Sequence, residues 1–257
     1  MTTSAAARSA VLDAKGPIGD LGGAWMSSPA EEAASEAAGL DGWQLYFLGR
    51  HGVLGDVDPD VVLAAAYVFP ADHLRAEWLA GRAVMTPGEA LDRYVAVCHE
   101  WGEQRLAGFA GAARLAELGQ RVIDAADVVG LPLFAGWRAL PVPSGDDPIG
   151  AARRCGHVCQ VLREHRGACH GVALAALQLD PLMAILANPD GERPEDNAVE
   201  YGWQPPFPAP TEADRQLRAE VERLTDDLVA AAYDALTADE LAELVALLRS
   251  AHTHAFS

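Results

Sequence analysis

Residues 211–248, TEADRQLRAEVERLTDDLVAAAYDALTADELAELVALL, decide the fold class. Thr211 to Asp214 and Thr237 to Glu240 each place a hydroxyl three residues before a carboxylate, the pattern of a helix start. Behind each start the apolar residues recur every three or four positions: Leu217, Val221, Leu224 and Leu228, then Leu241, Leu244, Val245 and Leu248. The same punctuation runs outward through the chain. Ser28-Pro29-Ala30-Glu31 and Thr86-Pro87-Gly88-Glu89 read as capping boxes with proline at the first helical position. Asp58-Pro59, Asp147-Pro148 and Asp180-Pro181 repeat the cap and the proline. No convincing alternating strand pattern occurs. The best extended candidate, 131–142, contains Pro132 and Pro141 and reads as a connector. The spacing predicts a mostly α protein of about nine or ten helices.

The same signals divide the chain. Residues 1–27 are small and glycine-rich and read as a mobile arm. Residues 28–187 form a helical core with a pocket. Within it, the helix capped at Asp147 is expected to end near Arg166, with Gly167 as a left-handed cap. Residues 188–210 are proline-rich and read as a long connector, in which Tyr201-Gly202-Trp203 packs as a lid. Residues 211–257 form a helix pair that packs on the core or on a second copy.

Half of the 257 residues are hydrophobic, which excludes a disordered chain. The net charge is −18 and Lys15 is the sole lysine. Such a charge repels phosphate backbones and argues against a nucleic-acid partner. No apolar run is long enough to span a bilayer, and no basic-then-apolar leader opens the chain. The expectation is a cytoplasmic protein without a membrane partner, with Cys98, Cys155, Cys159 and Cys169 reduced.

Chemistry concentrates in Arg163-Glu164-His165-Arg166-Gly167-Ala168-Cys169-His170, five ionisable side chains besides the cysteine in an apolar setting. Buried charge without a partner is costly, so these groups either pair with each other or serve a ligand. In the first reading Glu164 pairs an arginine and the histidines cap carbonyls. In the second, Arg163 or Arg166 holds an anionic or carbonyl group, His165 or His170 moves a proton, and Glu164 orients it. Arg163, Glu164, His165 and His170 are the candidate catalytic residues. His157, seven residues before Glu164, points within about 20° of it on the same helix. Tyr46 and Arg50, one turn apart, are candidates for a pocket wall, and Asp226 for receiving an arginine. Trp137 and Trp203 serve as core anchors or ligand platforms. Together with Arg166 and His157, these complete the candidate ligand-binding set. Cys155, His157, Cys159, His165, Cys169 and His170 lack the short knuckle spacings of structural zinc, so no metal is expected. There is no G-x-S-x-G elbow, H-E-x-x-H or dinucleotide fingerprint, so no cofactor is expected either.

Several stretches together resemble an actinobacterial family of largely uncharacterised proteins with a MarR-like helix-turn-helix architecture. They are Tyr46-Phe47-Leu48-Gly49-Arg50, Asp58-Pro59-Asp60-Val61-Val62, Phe134-Ala135-Gly136-Trp137-Arg138-Ala139-Leu140-Pro141, His157, Leu162 through Gly167 with His170, Gly202-Trp203 and Leu224-Thr225-Asp226. The Arg-Glu-His-Arg-Gly run is the most specific of them. The chain departs from the family in two places. Ala168 stands where the family usually carries aspartate, and only 204–210 separate Trp203 from the next helix, where the family has a helix and a β-wing. The resemblance implies a helical body related to a winged helix, with the wing reduced or absent, and it allows a homodimer. It leaves three functions open, of which the charged cluster in its apolar frame, the acidic charge and the shortened wing region favour the first. One is a protein that binds a small-molecule ligand or substrate, as a cofactor-independent enzyme of specialised metabolism or as a plain binding protein. The others are a ligand-responsive regulator and a structural or interaction module.

Overall fold

The computed structural model describes residues 3–145, 147–189, 191 and 193–257. Helices run the length of the chain: α1 (Ala5–Gly23), α2 (Pro29–Ala38), α3 (Gly42–His51), α4 (Pro59–Ala65), α5 (Ala71–Val84), α6 (Pro87–Leu106) and α7 (Ala112–Ala125). They continue as α8 (Pro132–Arg138), α9 (Pro148–Leu177), α10 (Pro181–Leu186), α11 (Pro194–Glu200), α12 (Glu212–Tyr233) and α13 (Ala238–Ala255). No strand occurs among the described residues. The mostly α reading holds, and the helix starts fall where capping chemistry puts them. Thr86, Thr211 and Thr237 head full capping boxes, and Asp58, Asp147 and Asp180 accept backbone N–H bonds ahead of a proline.

Helix α9, thirty residues long, is the axis of the molecule. α1, α6, α7, α8 and α12 pack around it, α13 lies against α1, and α3 packs on α6 and α5. Ala152, Cys155, Val158, Cys159 and Leu162 of α9 are buried in one continuous core with Trp25, Phe47, Trp78, Tyr94 and Trp137. The four cysteines are free and buried.

Five expectations need correction. The first concerns the arm at 1–27: its described residues, 3–27, are no mobile arm, and residues 1 and 2 lie outside the described residues. Ser4 caps α1, and Ala7, Ala10, Val11, Ala14, Ile18 and Leu21 form its buried stripe. Gly22, one of the glycines that suggest mobility, is instead what admits α1 so close to α9: a Cβ on it would stand 2.7 Å from the Cys159 carbonyl oxygen. Ion pairs Arg249–Asp13 (2.6 Å) and His252–Asp20 (2.9 Å) fasten the outer face of α1 to α13. Second, α9 does not end at Gly167; it runs to a left-handed Gln178 (φ 55°). Gly167 lies inside the helix and caps nothing, and Gly171 serves close approach, since a Cβ there would stand 2.5 Å from the Tyr67 ring. Third, the stretch 131–142 contains α8. Fourth, the connector 188–210 holds α11 and packs through Tyr201, Trp203 and Phe207 onto Ile185 and Leu186; its residues 190 and 192 lie outside the described residues. Fifth, Ser28 accepts from the Glu31 N–H, but the Glu31 side chain does not return to close a capping box. The stripe Leu241, Leu244, Val245 and Leu248 of α13 is buried within the chain itself, so it is not an open face for a second copy.

Gly22→Ala should therefore cost about 1–3 kcal/mol, because the backbone of α9 cannot step aside. Gly19→Ala, which meets nothing within 4 Å, should be neutral or stabilising by up to about 1 kcal/mol. Urea denaturation of the two variants checks the contrast, and equal stabilities would refute the close docking of α1.

Candidate functional site

Tyr46 and Arg50 stand one turn apart on α3 because the Asp41 capping box starts that helix four residues before Leu45. Arg50 reaches across to α9, where its Nε and Nη2 donate to Glu164 Oε1 and Oε2 at 2.8 and 2.9 Å. Its Nη1 donates to the Tyr46 hydroxyl at 2.6 Å, and Gln160 Nε2 donates to Glu164 Oε1 at 2.7 Å. Glu164 is wholly buried. Burial opposes its charge, but the Arg50 guanidinium, with its hydrogen bonds and the nearby Arg163, outweighs that and holds the carboxyl below its usual range. This is the network of the first reading.

A second network joins α9 to α12. Arg166 donates to Asp226 Oδ1 and Glu222 Oε2, both at 2.6 Å, and Arg218 Nη1 donates to Glu222 Oε1 at 3.1 Å. His170 sits beside it. The Thr225 hydroxyl donates to the Val221 carbonyl at 2.8 Å, so it accepts from His170 Nδ1–H at 3.0 Å. That fixes the tautomer and leaves Nε2 as a lone-pair acceptor. Burial, reinforced by Arg218 and Arg166 against Glu222, lowers the His170 pKa to about 4.

Between the two networks lies a cavity of about 890 Å³. Tyr46, Arg50, Arg163, Arg166, Gly167 and His170 line it together with Glu222 of α12 and Ile18, Gly19 and Gly23 of α1. Its apolar wall is Met26, Trp43, Val68 and Phe69, closed by Tyr201 from the end of α11. Trp43, Phe69 and Tyr201 form an aromatic cluster with ring centroids 5.2–6.3 Å apart. Arg163 is the cation this arrangement leaves over. Its nearest carboxylate oxygen, Glu164 Oε1, is 3.6 Å away and already accepts two hydrogen bonds, and its side chain is 31% exposed. No hydrogen bond reaches its guanidinium among the described residues.

The remaining candidates lie elsewhere. His165 does not face the cavity; it is buried against Phe134, ring centroids 4.7 Å apart, because successive residues of a helix point 100° apart. His157 is buried opposite His99, nitrogen to nitrogen 3.2 Å, and away from the cavity. Trp137 donates to the Arg50 carbonyl at 3.0 Å and Trp203 to the Val68 carbonyl at 2.9 Å, so both are anchors of the cavity's frame. Asp226 receives Arg166 as expected. Sequence reasoning missed Tyr67, Glu31 and Glu222. Tyr67 sits in the turn after α4 with its ring 5.8 Å from that of His170, and no periodicity marks it. Glu31 was disguised as a cap residue, and Glu222 as one of many exposed-looking acids on α12. Among the described residues, no three His, Cys, Asp or Glu side chains are grouped to hold a metal ion.

Removing one partner of the buried pair strands the other charge. Glu164→Gln should cost about 3–5 kcal/mol in urea denaturation. The pair Arg50→Met with Glu164→Leu should cost less than the sum of its single changes, and strict additivity would deny the coupling.

A second expected outcome concerns pH. Burial lowers His51 to about 3 and His157, His165 and His170 to about 4. The unfolded chain binds these protons near pH 6.5, the folded chain only near 4, so stability should fall as pH drops from about 7 to about 4. Glu31, raised by burial, works in the opposite sense. The depressed Glu164 and Glu222 add their loss only below the ordinary carboxylate range. Denaturation midpoints at pH 7, 6 and 5 should decline, and a flat profile would contradict it.

A family model described as a helix-turn-helix family matches residues 14–257, from within α1 to the last residue of the chain. No curated protein and no solved structure matches.

Proposed function

The chain belongs to this helix-turn-helix family, and on that footing we propose that it is a small-molecule-binding protein whose ligand occupies the Arg163 cavity. The observation that carries this reading is the arginine itself. Arg50 and Arg166 are fully engaged by carboxylates, whereas Arg163 has donors to spare in a cavity with an aromatic wall. A guanidinium so placed suits a carboxylate, enolate or carbonyl oxygen. The chemistry on offer is acid–base and electrostatic, without a cofactor. His170 Nε2 is a proton acceptor of fixed tautomer at the cavity wall, Arg163 a stabiliser of developing negative charge, and Tyr67 a phenol kept protonated by burial. Glu164 holds Arg50 and Tyr46 in place and does not orient a histidine. His165 has no part in this reading.

The helix-turn-helix match is compatible with a second reading, a ligand-responsive transcriptional regulator of the MarR-like kind. Its DNA-facing equipment finds little support. α4, residues 66–70 and α5 make a helix–turn–helix pair, but the outer face of α5 is Asp72, Ala76, Leu79, Ala80, Ala83 and Val84. Its arginines are paired, Arg75 with Asp60 at 2.8 Å and Arg82 with Asp56 at 2.6 Å. Recognition helices use free cations to grip phosphates.

The test is binding of 8-anilinonaphthalene-1-sulfonate, an aromatic anion that fits the cavity, followed by fluorescence. The expected result is one equivalent bound, weakened about tenfold or more by Arg163→Met, the loss of one charge-assisted contact. Ala66→Trp, which fills the cavity, should abolish binding. Unchanged affinity in both variants would overturn the reading. Salt-dependent retention of a DNA duplex by the wild-type protein would move the balance to the regulator.

A further inference from the structure

Glu31 is the cavity's other unpaired charge. It belongs to the first turn of α2 but leaves the Ser28 cap open, turning its carboxyl away from the helix start. Only 5% of the residue is exposed. Ser35 Oγ donates to its Oε1 at 2.9 Å, and no cation pairs with it among the described residues. The other carboxylates that line the cavity are accounted for: Glu222 holds Arg166 and Arg218, Asp41 caps α3, and Glu200 is exposed. A buried acid that lacks a cation is costly unless something supplies one. One cavity thus holds an arginine whose acid neighbour, Glu164 at 3.6 Å, is already hydrogen-bonded to Arg50 and Gln160, and an acid with no cation paired to it among the described residues; the two have not paired with each other. Resting on the reading that this cavity binds a small molecule, we infer that its ligand is charged at both ends: an acid group held by Arg163, a protonated amine held by Glu31, and a flat apolar body against Trp43, Phe69 and Tyr201. Burial, with Glu32 nearby, holds the Glu31 carboxyl above its ordinary range against the hydrogen bond from Ser35, and a bound cation would oppose that shift. The aromatic wall gives the body its seat, and the two ends fix its direction, as unpaired polar groups do in selective sites.

Four compounds that share one aromatic body test this by calorimetry: indole, indole-3-acetate, tryptamine and tryptophan. The two-ended tryptophan should bind at least tenfold more tightly than either one-ended compound, and indole most weakly. Arg163→Met should erase its advantage over tryptamine, and Glu31→Gln its advantage over indole-3-acetate. Thermal melts and one equivalent of bound 8-anilinonaphthalene-1-sulfonate would certify that Glu31→Gln is folded with its cavity intact. The inference is overturned if tryptophan binds no better than indole-3-acetate, or if Glu31→Gln keeps the wild-type preference. It is also overturned if none of the four binds while the sulfonate probe still does, and in that case the cavity reading survives. If the wild-type protein does not bind the sulfonate probe either, the cavity reading falls with it.

Discussion

The pairing of Arg50 with Glu164 is the constraint on which the rest depends. It joins residues 114 positions apart by two parallel hydrogen bonds, with Glu164 wholly buried and Arg50 nearly so. An ion pair there is weak as a source of stability, because both charges lose their hydration. Its value lies in direction. Arg50 can satisfy Glu164 only if α3 crosses α9 at one height, and at that height Tyr46 and Trp43 face Arg163 and Arg166 across open space. The pair also occupies Glu164, so that Arg163, one position earlier on the helix, is left with a 3.6 Å approach to an oxygen that already accepts two hydrogen bonds. The free donor of the site is thus a consequence of the engaged one.

Helix starts are legible in the chain because capping is a local matter: a hydroxyl or carboxylate, a proline, and N–H groups within three residues. That is why Thr86, Asp147, Thr211 and Thr237 could be read directly. The candidate site was legible in kind, since five ionisable groups in an apolar frame must be paired or used. Its partition between pairing and use was not, because the partners come from elsewhere: Arg50 from α3, Glu222 and Asp226 from α12. Gly167 shows the limit most clearly. A glycine can end a helix, ride inside it as Gly167 does, or let a neighbour in as Gly171 does for Tyr67. The N-terminal glycines pose the same ambiguity, and there the neighbour is α9. His165 fails for a simpler reason, that adjacency in a helix is not adjacency in space.

A helix-turn-helix scaffold and a small-molecule cavity are compatible, since helices packed at steep angles leave spaces that a few polar side chains can specialise. On the reading proposed above, the specialisation falls on the interior. There Arg163 keeps donors to spare and Glu31 has no paired cation among the described residues, whereas on α5 the arginines are answered by neighbouring aspartates. With a net charge of −18, the outer surface is left with little that would draw it to another polyanion.

The position of α1 has a consequence for how the protein is made. This helix leaves the ribosome before its partners α9, α12 and α13, and its ties to Asp234, Arg249 and His252 span more than two hundred residues. Contacts that distant form late, after most of the chain has been released, and they are what slows the folding of such topologies. Ile18, Gly19 and Gly23 are part of the cavity wall. The enclosure is therefore among the last things to form during biosynthesis, and a nascent chain carries its arginines and its aromatic wall for some time before it has a chamber to put them in.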